Sequence, residues 1–198
     1  MASILRSLTS DLKTAQVQPM SGDSMKWLMT KIAELKNPLK IPTEMSRDAG
    51  RNVTRFGPGK LYCFYYDPKG KSQMPYYDRF PLVLVLQKEA DGFLGLNLHY
   101  LPIKYRIAFL GKLLKFAILD DENNVERLRV SYDILSASRR LKEFKPCLKK
   151  YLTGHIQSRL LAIRPDEWEV AAMLPMQQFR KATVQEVWQD STRKIRKD

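Results

Sequence analysis

The chain has 198 residues, 44% hydrophobic and 28% charged, which is enough for one ordinary domain and excludes wholesale disorder. Thirty-four Lys and Arg against 21 Asp and Glu leave a net charge of +13, a field that favours polyanions such as DNA, RNA or an acidic protein surface. No apolar run approaches the roughly 18 residues of a membrane-spanning helix, and the first residues lack the apolar core of a secretory signal.

The positive charge is spread along the chain. Nine basic residues face five acidic ones over positions 1–57, nine face four over 58–119, and 16 face 12 over 120–198. A basic tail on a neutral domain would look different. Cys63 and Cys147 are far apart and have no Cys or His at ligand spacing, so reduced thiols and no structural zinc are expected.

In chain order, residues 1–22 read as a mobile polar leader ending in Pro19 and Gly22. Asp23 or Ser24 is a candidate cap for a helix to Lys36, with Trp27, Leu28, Ile32 and Leu35 on its apolar face. Asn37-Pro38 stops it. From Pro38 to Pro58 two readings stay open. One is a basic linker; the other is a short helix over 43–52 that shows Arg47, Arg51 and Arg55 on one face.

The centre reads as β. Leu61 to Tyr66 is rich in aromatic strand formers, and Pro81 to Leu86 is an apolar run with both faces covered. Asp91-Gly92 signals a hairpin, with Phe93 to His99 returning. Three or four such strands suit a small antiparallel sheet or SH3-like barrel that needs a helix or partner against it.

Beyond residue 102 the pattern turns helical: Ile103 to Phe116, then Val125 to Ser138 after an acidic turn. Cys147 to Ile163 follows, with Leu148, Leu152, Ile156 and Leu160 at i+4 spacing. Pro165 to Trp168 starts a short helix, and Thr183 to Glu186 forms a capping box before a helix through Trp188 and a frayed basic tail. The expected fold class is α+β, a central antiparallel sheet or barrel flanked by an N-terminal helix and a C-terminal helical region. Its expected segments are 1–56 (leader, helix, basic linker), 57–102 (β core), 103–175 (helical region) and 176–198 (short helix and basic tail).

Catalytic patterns are absent: no phosphate-binding glycine loop, nucleophile elbow or triad spacing. Asp133 with Glu143-Phe144-Lys145 loosely matches the acidic-residue plus Glu-x-Lys arrangement of metal-dependent nucleases. Glu34-Leu35-Lys36 repeats that tripeptide by chance. No enzyme, cofactor or metal is therefore expected.

The basic clusters carry more information. Arg139, Arg140, Lys142, Lys145, Lys149 and Lys150 fall within twelve residues against one acid, Glu143. Such a cluster neutralises phosphates with little regard for sequence, although a merely solvated helix face would look the same. With Arg47, Arg51 and Arg55 these form the candidate nucleic-acid-binding set. Tyr62, Tyr65, Tyr66, Tyr76 and Tyr77, interleaved with Lys69, Lys71 and Arg79, are either a stacking platform for unpaired bases or the packing of the sheet, the preferred reading. Asp78 and Arg79 precede a buried strand, where an ion pair or a turn-capping carboxylate is plausible. His99 is expected to hydrogen-bond inside the barrel.

Four segments together carry a resemblance. They are Gly59 to Tyr62 with Tyr66 to Lys69; Pro75 to Val83 (PYYDRFPLV); Asp91 to Pro102 (DGFLGLNLHYLP); and Lys145 to Leu152 (KPCLKKYL). This combination resembles the DNA end-protector and head-completion proteins of large contractile-tailed bacteriophages, over roughly residues 57–175. The resemblance implies a virion protein that sits on the termini of packaged double-stranded DNA, shields them from host exonuclease and helps complete the filled head. Other head, neck or tail proteins would be its partners, with no membrane and no small-molecule substrate. The rival is a structural neck, tail or baseplate component without specific DNA-end binding.

Overall fold

The computed structural model describes residues 4–117 and 142–197 and has an α+β architecture. The main sheet is antiparallel and six-stranded, in the order β1 (Asn52–Val53), β7 (Leu160–Ile163), β2 (Leu61–Cys63), β4 (Leu82–Glu89), β5 (Gly92–Asn97) and β6 (Leu148–Leu152). A separate two-stranded ribbon pairs β3 (Tyr77–Asp78) with β8 (Phe179–Arg180). The expected hairpin is β4–β5, with the turn at Asp91-Gly92.

Strand alternation sorts the sheet into two buried faces. Leu61, Cys63, Leu82, Leu84, Leu86 and Leu96 meet the helices in the larger core. Tyr62, Phe64, Val83, Val85, Phe93, Tyr151 and Leu160 form a second, largely aromatic core on the other side. A bulge between Val85 and Gln87 bends β4. Phe64, just past β2, touches Tyr151 of β6 with ring centroids 5.3 Å apart. Their strands are three spacings apart, about 14 Å in a flat sheet, so the sheet is strongly curled around the aromatic side.

Helices cover the larger core. α1 (Ile4–Thr14) buries Leu5, Leu8 and Leu12, so the expected mobile leader is instead an amphipathic helix. α2 (Gly22–Ala33) starts earlier than expected, at a capping box of Ser21 and Ser24 rather than a cap at Asp23 or Ser24. The buried Glu169 carboxylate accepts from the Ser24 hydroxyl and the Met20 amide, which ties that start to α5 (Trp168–Met173). α3 (Ile41–Ser46) lies in the stretch left open between linker and helix. α4 (Ile103–Ala117) matches its expected span closely. α6 (Val184–Lys197) begins at the Thr183–Glu186 capping box, with Thr183 N and Oγ1 donating to Glu186. It runs through the expected frayed tail. The helix expected over 125–138 lies outside the described residues.

The expected helix over 147–163 is corrected to β6 and β7, joined through a 3-10 turn at Thr153–His155. A four-residue leucine spacing fits two strand repeats as well as one helical turn, and pairing along β5 decides between them. The segment 57–102 therefore does not enclose the sheet: β1 enters from before it, and β6 and β7 from after it.

Gly92 lets β6 come close. A Cβ there would overlap the Tyr151 carbonyl oxygen and lie 3.1 Å from the Leu152 Cα. Gly92→Ala should lower stability by about 1–3 kcal/mol in urea unfolding. A loss under about 0.5 kcal/mol, the range of an ordinary surface change, would refute this tight apposition.

Candidate nucleic-acid interface

β6 is an edge strand, entered from the 3-10 turn Lys142–Cys147. Cys147 is sealed beneath it, and burial pushes its thiol up to about 12. Alternation sends Lys149 and Tyr151 to one face and Lys150 to the other. The Lys149 ammonium lies over the Tyr100 ring, 4.5 Å from its centroid. Burial lowers the proton affinity of this lysine, with Lys194 adding to the effect. Lys150 bridges Glu89 at 3.0 Å and Asp91 at 2.9 Å, across the hairpin end.

Beside this edge opens a cleft of about 270 Å³, walled by Tyr66, Tyr77, Tyr100 and Tyr151, with Lys69, Lys149 and Lys150 among its lining residues. Most of the rings are locked in place. Tyr66 packs edge-on to Tyr151 at 4.9 Å, and its hydroxyl accepts from the Leu152 amide. Tyr100 is buried between Tyr76 and Phe179. Tyr77 is half-buried and Lys69 is exposed; Lys150 is exposed as well but engaged by Glu89 and Asp91. Fixed rings lose little entropy on stacking against a flat ligand.

Asp78 holds this region together from beneath. Its Oδ1 accepts from the amides of Phe80 (3.1 Å) and Gln178 (3.0 Å), while Oδ2 lies 2.6 Å from His99 Nδ1 and accepts from Asn97 Nδ2 at 3.4 Å. Of the two expectations for Asp78, the turn-capping carboxylate is met, and its close side-chain partner is His99 rather than Arg79. The His99 carbonyl accepts from the buried Arg106 guanidinium and from Trp188 Nε1. Arg106 also donates to the carbonyls of Leu101 and Ala172.

The expected binding residues divide into distinct groups. Arg139 and Arg140 lie outside the described residues. Lys142 opens the 3-10 turn, and Lys145 is exposed on it. Lys149 and Lys150 reach the cleft but already have partners there. Arg47 and Arg55 are exposed near α3 and β1.

Arg51 is a correction. It is 4% exposed, donates to both oxygens of the fully buried Glu167 at 2.6 and 2.7 Å, and gives its Nε to Asp48. A guanidinium spent on two carboxylates has no surface to offer a phosphate. Nor do the three arginines share a face, because α3 ends at Ser46.

The expected tyrosines divide between packing and the cleft wall. Tyr62 packs in the aromatic core, and Tyr76 donates to Asp190. Tyr66 and Tyr77 line the cleft. Tyr100 and Tyr151 complete it without having been expected; in Lys149-Lys150-Tyr151 the basic-aromatic adjacency was the available signal. Glu143-Phe144-Lys145 sits in a 3-10 turn, with Phe144 packed on Phe109, rather than on paired strands. Asp133, the other member of that pattern, lies outside the described residues.

Residues 24–191, the whole cleft included, match the sequence family described as Phage T4 terminal DNA protecting protein. No curated protein and no solved structure matches the chain.

Proposed function

The chain belongs to the phage T4 terminal DNA protecting protein family, and from that premise we propose that it binds the ends of packaged double-stranded DNA, keeps host exonuclease off them and assists head completion. Its place would be the virion, after assembly in the host cytoplasm beside other head, neck or tail proteins. The observation that carries the reading is the tyrosine-walled, lysine-edged cleft on a chain of net charge +13.

A duplex end differs from a duplex interior in two ways: its last base pair frays, and it exposes a base face to stacking. Half-buried Tyr77 offers such a base a partner. Lys69, with the exposed Lys145 and Lys150, would neutralise the phosphates behind it. An exonuclease must thread that same terminal nucleotide, so occupancy of the cleft is itself protection.

The test is competitive binding to linear and closed-circular duplexes of equal length across a salt series, with an exonuclease-protection arm and Mg²⁺ present. Linear DNA should win, with ends protected and strands uncut. Tyr77→Ala should weaken end binding by about 1–3 kcal/mol, and Lys69→Ala should lower the salt slope by about one. Equal affinity for circles would leave a general DNA coat. Absence of binding at low salt would turn the charge toward protein contacts in neck, tail or baseplate, and cleavage would restore the nuclease reading.

A further inference from the structure

Tyr66 and Tyr77 line a second recess as well, of about 430 Å³, whose other residues include Tyr65, Arg79, Gln157 and Arg180. The ribbon builds it. Tyr77 pairs with Arg180 and Asp78 with Phe179. Asp78 is buried, so alternation turns Tyr77, Arg79 and Arg180 to the opposite, outer side. Both arginines are exposed. The ribbon is braced where they emerge: Lys181, held at a φ of 67°, donates its ammonium to the carbonyls of Lys71, Ser72 and Met74.

The charge in this recess is unbalanced. Its one carboxylate, Asp67, is occupied by Lys71, whose Nζ lies 2.8 Å from each oxygen. Among the described residues neither Arg79 nor Arg180 has a carboxylate within ion-pair distance. Two guanidinium groups beside one recess repel each other unless an anion lies between them. Each presents five N–H donors in a planar fork that matches a phosphate.

We propose that the Arg79–Arg180 recess binds a terminal phosphomonoester, so that the protein distinguishes a phosphorylated DNA end from a hydroxyl end. The proposal rests on the reading of the neighbouring cleft as the seat of the terminal nucleotide. Tyr66 and Tyr77 form the shared wall, which puts a base on one side and its phosphate on the other. An internal phosphodiester carries one negative charge, whereas a monoester at neutral pH carries between one and two. A pair of otherwise uncommitted arginines is suited to reading that difference.

The experiment uses the full chain and duplexes closed by a hairpin at one end, the open end bearing a 5′-phosphate, a 3′-phosphate or only hydroxyls. One phosphorylated form should bind about tenfold more tightly than the hydroxyl form, as extra charge-assisted hydrogen bonds would give. The other phosphorylated form identifies the strand polarity. Arg79→Gln with Arg180→Gln should abolish the difference while keeping the melting temperature and hydroxyl-end affinity of the wild type.

Equal wild-type affinity for all three ends, or a preference that survives in the double variant, overturns the proposal and leaves end binding intact. Loss of preference for ends over circles overturns the cleft reading instead. A ³¹P titration with deoxyadenosine monophosphate tests the recess without DNA. Saturable binding that the double variant loses supports the site, and an affinity unchanged by the double variant refutes it.

Discussion

Replacing Arg51 by methionine is expected to remove about 3–5 kcal/mol of folding stability, the cost of leaving a buried charge without its partner, while the folded fraction binds DNA as before. Glu167 is fully buried and keeps only the Arg164 amide and guanidinium, each at 3.0 Å, once Arg51 is gone. The Arg164 side chain is largely exposed, so its help is diluted by solvent and does not replace a bidentate pair. The pair also closes the fold, because it joins the turn before β1 to the turn before α5 across 116 residues of chain.

Urea unfolding read from tryptophan fluorescence measures the loss directly, since Trp168 follows Glu167. The double replacement Arg51→Met with Glu167→Leu should recover much of it, as removing both charges removes the uncompensated one. Burial alone would raise the Glu167 carboxyl, but its hydrogen bonds to Arg51 and Arg164 outweigh that and hold it below its ordinary 4.5. The stabilisation is therefore complete above about pH 4.5 and is lost as the pH falls below it. A loss under about 1 kcal/mol, typical of an exposed pair, would contradict this account. So would a fall in DNA affinity at unchanged stability, which would return Arg51 to the binding surface.

Arg51 also shows where a sequence stops being legible. Its chemistry is visible, but its partner is far along the chain, and nothing local separates a buried ion-paired arginine from a solvated one. Features written in adjacent residues read well. Asp91-Gly92 marks the hairpin, the doubly covered run Leu82–Leu86 marks a central strand, and Thr183 with Glu186 marks the last helix. The leucines at 5, 8 and 12 carried a helical signal that the polar residues between them obscured. Leu148, Leu152, Ile156 and Leu160 fit two periods at once, and only β5 settles which. The site divides in the same way. Tyrosines and lysines announce an aromatic, cationic surface. That Tyr66, Tyr77, Tyr100 and Tyr151 converge, and that Glu89, Asp91 and the Tyr100 ring already engage Lys150 and Lys149, depends on pairing between distant strands.

Asp78→Ala should be as damaging as the loss of Arg51, about 3–5 kcal/mol, and should weaken DNA-end binding as well. It strips an acceptor from two backbone amides, from Asn97 and from His99, all beneath the cleft, and buried donors without acceptors are expensive. The ribbon that presents Tyr77, Arg79 and Arg180 would lose its anchor. Burial lowers the His99 proton affinity below its ordinary 6.5, and Arg106 adds to this, against the pull of Asp78. His99 is therefore neutral when folded and donates from Nδ1 to an ionised Asp78, which His99 and the two amides hold below 3.8 despite its burial. An unfolded chain binds a proton at residue 99 more readily than the folded one, so stability should fall as the pH drops below about 6.5. It should fall further once the Asp78 carboxylate protonates, below about 3.8. His99→Gln keeps a donor facing Asp78 but removes the titration, and should flatten the first of these two declines in a urea series from pH 8 to 5. Stability that rises as the pH falls from 7 to 5 would mean that His99 is charged in the fold. Asp78 would then be an ion-pair partner first and a floor for the cleft second.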